Sequence, residues 1–219
     1  MLNGKLLSIL GDSISTYKGI SNDETAAARL YDHPYHYRPP FPLRDTYWMR
    51  VMERFGMRLC VNNSWSGGNL SGAEDDASGV NRAAYLSRDT GESPDVILVF
   101  MGINDLGRGF PCNVFARDYE RTLSKIKADH PNALVCCINL PDRTPVLKER
   151  TQKFNAAIAS AAENAGANFF VADLFRSKLA NDIYYMNTMD GLHPDPDGME
   201  IIAEVVIRAF LQYFAKQSP

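Results

Sequence analysis

The 219-residue chain falls in the range of roughly 200–250 residues that an α/β fold fills as one domain, which excludes a small disulfide scaffold. Hydrophobic residues make up 45% and charged residues 22%, so the chain can bury a sizeable core and is not intrinsically disordered. The formal charge of −3, with Lys and Arg scattered rather than striped, argues against nucleic-acid binding as the main role.

The first apolar run, Lys5 to Leu10, predicts a strand ending at Gly11. The N-terminal run from Met1 to Ser13 has one lysine and an apolar stretch too short for a signal-peptide core, and it leads straight into this strand, so a cytoplasmic location is expected. The segment from Ser15 to Leu43 is abnormally long for a βα connection, which usually takes about 2–6 residues. It carries Tyr17, Tyr31, Tyr35, Tyr37 and Phe41, with Pro34, Pro39, Pro40 and Pro42 to stiffen it. Thr46 to Phe55 then predicts a helix, with Trp48, Val51, Met52 and Phe55 on one face.

Further strands are expected at Arg58 to Val61, Val96 to Met101, Leu134 to Leu140 and Phe169 to Val171. Helical periodicity fills Val114 to Ala128 and Val146 to Ala165 between them. A last helix starts at Pro196, capped by Asp195, and buries Ile202, Val205, Val206, Phe210 and Tyr213. Strand and helix alternation predicts βαβ units on a five-stranded parallel sheet. The strands are apolar throughout, as strands covered on both faces should be. No linker or repeat divides the chain, so residues 1–219 are read as one domain with an extended loop at about 16–43. No apolar run approaches the ~18 residues of a transmembrane helix.

The four cysteines, Cys60, Cys112, Cys136 and Cys137, lack C-x-x-C spacing and read as thiols, the adjacent pair serving as core packing. Asp32, His33 and His36 offer metal-ligand types at short spacing. Pro34 between the histidines argues against a helical pair, and no further ligand is evident, so no metal and no cofactor is expected.

In parallel sheets ligands bind beyond the carboxyl ends of the strands, which directs attention to four segments. Gly11-Asp12-Ser13-Ile14-Ser15 follows the first strand, Asn62-Asn63-Ser64-Trp65-Ser66-Gly67-Gly68 the second and Gly102-Ile103-Asn104-Asp105 the third; Asp190-Gly191-Leu192-His193-Pro194-Asp195 precedes the last helix. They supply a hydroxyl, backbone donors, an amide, an imidazole and a carboxylate, the parts of serine acyl transfer. Taken singly each has a bland reading. Ser13 could cap the next helix, and Asp190 and Asn104-Asp105 could be ordinary turn residues.

Taken together, in this order, the four segments resemble the blocks of the SGNH/GDSL hydrolase family, whose members are esterases, lipases and acylhydrolases. The resemblance runs from Gly11 to Pro194 and implies a flavodoxin-like three-layer α/β/α sandwich. It places the nucleophile at Ser13, the base at His193, and the carboxylate orienting that base at Asp190. The oxyanion donors would be the backbone N–H groups of Ser13 and Gly67 and the side-chain amide of Asn104. Asp12 and Asp105 have no task in that scheme and read as structural. A classical α/β-hydrolase is disfavoured because no G-x-S-x-G elbow occurs.

The implied activity is hydrolysis of a carboxylic ester of a small-molecule substrate. The aromatic loop without a long amphipathic lid favours short acyl groups, acetyl above all, on a small or sugar-like alcohol. Trp65 and Phe110 are expected to wall the pocket, with Tyr184-Tyr185-Met186 closing its other side. A non-catalytic binding domain on the same fold and an acyltransferase are the alternatives. No charge run or basic amphipathic segment supports a membrane or polyanion partner, and the oligomeric state stays open.

Overall fold

The computed structural model of the protein describes residues 2–17, 20, 40–142, 146–176 and 187–217. Most of the 16–43 loop, with Asp32, His33 and His36, lies outside the described residues, as does Tyr184-Tyr185-Met186. The two ends of the loop are described: Tyr17 and Phe41 are both buried, and the Tyr17 hydroxyl donates to the Phe41 carbonyl at 3.1 Å.

Strands β1 (Leu6–Gly11), β2 (Arg58–Ser64), β3 (Val96–Phe100), β4 (Leu134–Ile138) and β5 (Phe169–Ala172) form one sheet in the order β2-β1-β3-β4-β5. All neighbouring pairs are parallel. The chain therefore begins inside the sheet, builds β2 on one side of β1, then crosses back to extend the other side. Connections leave β1 and β3 in opposite directions, which opens a crevice at their carboxyl ends.

The described helices are α1 (Tyr47–Phe55), α2 (Gly79–Arg82), α3 (Ile103–Arg108), α4 (Cys112–Asp129), α5 (Lys148–Ala165) and α6 (Pro196–Gln217). α1 packs with α6, and α4 with α5. Phe210 of α6 meets Phe55 of α1 at 5.4 Å between ring centroids and Phe170 of β5 at 5.0 Å. Phe115 of α4 stacks on Phe154 of α5 at 4.3 Å. These aromatic clusters bind the helices to each other and, through Phe170, to the sheet.

The five expected strands and four long helices are all present, with shifted ends. β2 runs on to Ser64 through Asn62 and Asn63, turn formers by composition, because their side chains are satisfied internally. Asn62 Nδ2 donates to the Ser15 carbonyl at 2.9 Å, and Asn63 Nδ2 donates to the carbonyls of Arg82 and Tyr85. β4 stops at Ile138, two residues short of the apolar run, where Asn155 takes over the backbone of Leu140 with two hydrogen bonds. The short helices α2 and α3 carry too little periodicity to be read from sequence. Asp195 caps α6 as expected, its Oδ1 accepting the Gly198 N–H at 2.9 Å.

Candidate active site

Ser13 sits in a turn that its neighbours hold rigid. Asp12 Oδ1 accepts the Ile14 N–H at 3.0 Å, the Asp12 carbonyl accepts the Ser15 N–H, and Thr16 Oγ1 donates to the Ser13 carbonyl. Gly11 lets β1 deliver this turn at all: a Cβ there would lie 2.6 Å from Ser15 Cβ and from Ser64 Oγ. Ser13 keeps 5% exposure. Asp12 is buried beneath it, and burial lifts its carboxyl to about 7 against the pull of the Ile14 hydrogen bond and the Arg82 charge.

His193 arrives from 180 residues away, and its Nε2 lies 2.9 Å from Ser13 Oγ. Its Nδ1 lies 2.7 Å from Asp190 Oδ2. The other Asp190 oxygen accepts the N–H groups of Leu192 and His193, so the carboxylate orients both ring and backbone. Burial alone would raise this carboxyl; the hydrogen bonds from His193 and Leu192 outweigh it and hold Asp190 below the usual carboxylate range. The loop is closed by a Thr188–Pro194 bridge and by Gly191, whose φ of 80° suits a residue without Cβ.

After β2 comes the turn from Trp65 to Gly68, tied to the end of β1 by the Trp65 N–H on the Gly11 carbonyl and closed by a 3.0 Å bond from the Gly68 N–H to the Trp65 carbonyl. Gly67 adopts a φ of 72°, a left-handed conformation that favours glycine. Asn104, at the start of α3, donates Nδ2 to the Gly68 carbonyl at 2.9 Å, which leaves its second amide hydrogen uncommitted. Among the described residues no acceptor takes the N–H of Ser13 or of Gly67. The segments that follow β1, β2 and β3 thus each carry one uncommitted donor, the N–H of Ser13, the N–H of Gly67 and the second amide hydrogen of Asn104. Asp105, next to Asn104, accepts the N–H groups of Leu70 and Ser71 at 2.8 Å each and anchors the downstream end of the same loop.

Ser13, His193 and Asp190 are therefore joined by hydrogen bonds, and Gly67 is linked to Asn104 through its neighbour Gly68. The remaining two candidates sit in different roles. Trp65 is half-buried with its ring 5.7 Å from the Arg82 guanidinium carbon. Phe110 follows α3, its N–H bonded to the Asp105 carbonyl and its own carbonyl held by Arg150. Sequence reasoning missed Arg82, for which a lone arginine in a short polar helix gives no signal. Among the described residues no cluster of three or more His, Cys, Asp or Glu could hold a metal ion, and no helix is long and apolar enough to cross a membrane.

Comparison with known proteins matches residues 9–201 to the model of the GDSL-like lipase/acylhydrolase family. An arylesterase of Vibrio mimicus is 27% identical over 121 residues, a match spanning 55% of this chain and 58% of the arylesterase. Among solved structures, a candidate GDSL-like lipase of Bacteroides ovatus is 21% identical with a TM-score of 0.70, over 99% of this chain and 100% of that one. A carbohydrate esterase family 2 enzyme of Myceliophthora fergusii has a TM-score of 0.67 at 16% identity, over 96% of this chain and 67% of that one. A psychrotrophic esterase of a Pseudoalteromonas species has a TM-score of 0.60 at 20% identity, over 96% and 99%. At these identities the structures share the fold.

Proposed function

The chain belongs to the GDSL-like lipase/acylhydrolase family, and on that premise we propose that it is a single-domain serine esterase acting through Ser13, His193 and Asp190. The observation that carries this reading is the unbroken relay from Ser13 Oγ through both ring nitrogens of His193 to Asp190.

In the first half-reaction Ser13 Oγ bonds to the ester carbonyl carbon while His193 Nε2 takes the hydroxyl proton. Asp190 stabilises the resulting imidazolium. The carbonyl oxygen becomes an oxyanion facing the N–H groups of Ser13 and Gly67 and the free amide hydrogen of Asn104. Each such donor is worth about 2.7–4 kcal/mol of barrier. The carbon–oxygen bond to the alcohol then breaks, and His193 returns the proton to the leaving oxygen. A water molecule, deprotonated by the same imidazole, cleaves the acyl-enzyme and restores Ser13.

The proposed substrate is a short acyl ester, acetyl above all, of a small or sugar-like alcohol. An aromatic loop without a long amphipathic lid supports that choice. The arylesterase relative and the carbohydrate esterase of like fold accord with ester cleavage. Two measurements test the reading. Ser13→Ala, folded by circular dichroism, is expected to lose turnover by a factor on the order of 10⁵–10⁶. The intact enzyme is expected to turn over p-nitrophenyl acetate faster than the octanoate; the reverse order would overturn the acetyl preference, and retained turnover in Ser13→Ala the esterase reading itself.

A further inference from the structure

Arg82, the last residue of α2, is fully buried, and its polar contacts are to neutral acceptors from separate segments. Nε donates to the Ala77 carbonyl at 2.7 Å, Nη1 to the Asn63 carbonyl at 2.6 Å, and Nη2 to the Gly11 carbonyl at 3.0 Å. Gly11 ends β1 two residues before Ser13, and Asn63 lies near the end of β2, two residues before the Trp65–Gly68 turn. Burial draws the guanidinium down to about 9, with Asp12 pulling the other way, so it remains protonated near neutral pH.

The same guanidinium backs the Trp65–Gly68 turn at both ends. The Trp65 ring lies 5.7 Å from its central carbon. At the other end, a Cβ on Gly68 would come within 3.0 Å of Nη2. The Gly11 carbonyl accepts the Trp65 N–H at 3.2 Å as well as Arg82, so nucleophile strand and turn meet at one oxygen that Arg82 holds. From the other side Asn104 holds the Gly68 carbonyl at 2.9 Å. The turn is thus clamped between a guanidinium fork below and an oxyanion donor above.

We propose that Arg82 is a positioning residue for the oxyanion site, its three-way fork fixing the Gly67 N–H at the distance from Ser13 that the tetrahedral oxyanion requires. The inference rests on the esterase reading above. It follows that the geometry of the fork is needed as well as the charge, because only a planar guanidinium reaches three carbonyls at once. An ammonium on a flexible stem keeps the charge and loses that reach.

Arg82→Lys tests this, with kcat, KM and the inhibition constant of a trifluoromethyl ketone measured on folded protein. The ketone forms a tetrahedral adduct on Ser13 and reads the oxyanion donors directly. The expected result is a fall in kcat of at least about tenfold, KM within about threefold, and ketone affinity weakened by the same factor as kcat. Retained kcat, or a loss confined to KM with unchanged ketone affinity, would overturn the proposal. If Arg82→Lys does not fold, Arg82→Gln, which keeps a planar amide donor but not the three-way fork, decides by the same criteria. Ser13→Ala in parallel reports on the parent reading, and turnover retained there refutes both.

Discussion

Ser13 and Asp12 are adjacent in sequence and opposite in circumstance. Ser13 reaches the surface enough to meet His193, while Asp12 is 1% exposed and spends one oxygen on the Ile14 N–H. Because burial raises the Asp12 carboxyl from 3.8 to about 7, the folded chain holds that proton more firmly than the unfolded chain. Folded protein then binds more protons than unfolded protein between roughly pH 4 and 7, so stability falls as pH rises through that window and levels off above it. Asp12→Asn keeps an acceptor for Ile14 and removes the titration. Its stability relative to the parent protein should increase from pH 4.5 to pH 7.5 in urea denaturation; parallel curves would show that Asp12 does not carry this linkage. At this scale the sequence was most legible where chemistry demands a residue type. Ser13, Asn104, Asp190 and His193 stood out as a set, whereas the buried guanidinium of Arg82 did not, since nothing in N-R-A distinguishes a clamp from a surface cation.

Elements were legible where a periodic apolar pattern ran long enough to be seen. α6 is the clearest: Pro196 opens it, Asp195 caps it, and Phe210 lies fully buried among Phe55, Phe170 and Phe214. Since Phe210 joins α6 to both α1 and β5, Phe210→Ala should destabilise the fold by about 3–5 kcal/mol. The denaturant midpoint should fall at constant slope, and a loss below about 1 kcal/mol would mean that the aromatic cluster can collapse into the space. The sequence misled at β2, where three polar residues looked like a stop. Asn62, Asn63 and Ser64 continue the strand because each finds a partner inside the protein, and that continuation carries the Trp65–Gly68 turn up beside Ser13. Helix α3 was hidden for a related reason: six residues between Gly102 and Gly109, with Ile103 and Leu106 its only apolar positions, are too few to show a period, yet Gly102 at a φ of 120° can start a helix that presents Asn104. A Cβ at Gly102 would sit 2.9 Å from the Phe115 ring, so the site and the α4 core compete for the same space and only glycine serves both.

For the whole molecule, the sheet order explains why four distant segments meet. β1 is flanked by β2 and β3, and the loops after all three open at one edge of the sheet. Ser13 follows β1, the Trp65–Gly68 turn follows β2, and Asn104 follows β3, so the topology alone brings to one edge of the sheet the residues proposed as nucleophile and oxyanion donors. His193 enters from the loop before α6, whose packing on α1 and β5 fixes where that loop can lie. The mild net charge of −3 supplies no strong long-range field, so the proposed reaction centre depends on local groups. Most of the 219 residues build this scaffold, and the abnormally long βα connection is the aromatic segment from Ser15 to Leu43. The central claim is that Ser13 is the nucleophile of an esterase, and it is tested most directly by mapping a fluorophosphonate adduct by peptide mass spectrometry. A single phosphonyl group on the peptide containing Ser13, formed as turnover is lost and absent from Ser13→Ala, is the predicted result. Loss of turnover with the adduct on another residue, or full labelling of Ser13→Ala, would contradict it.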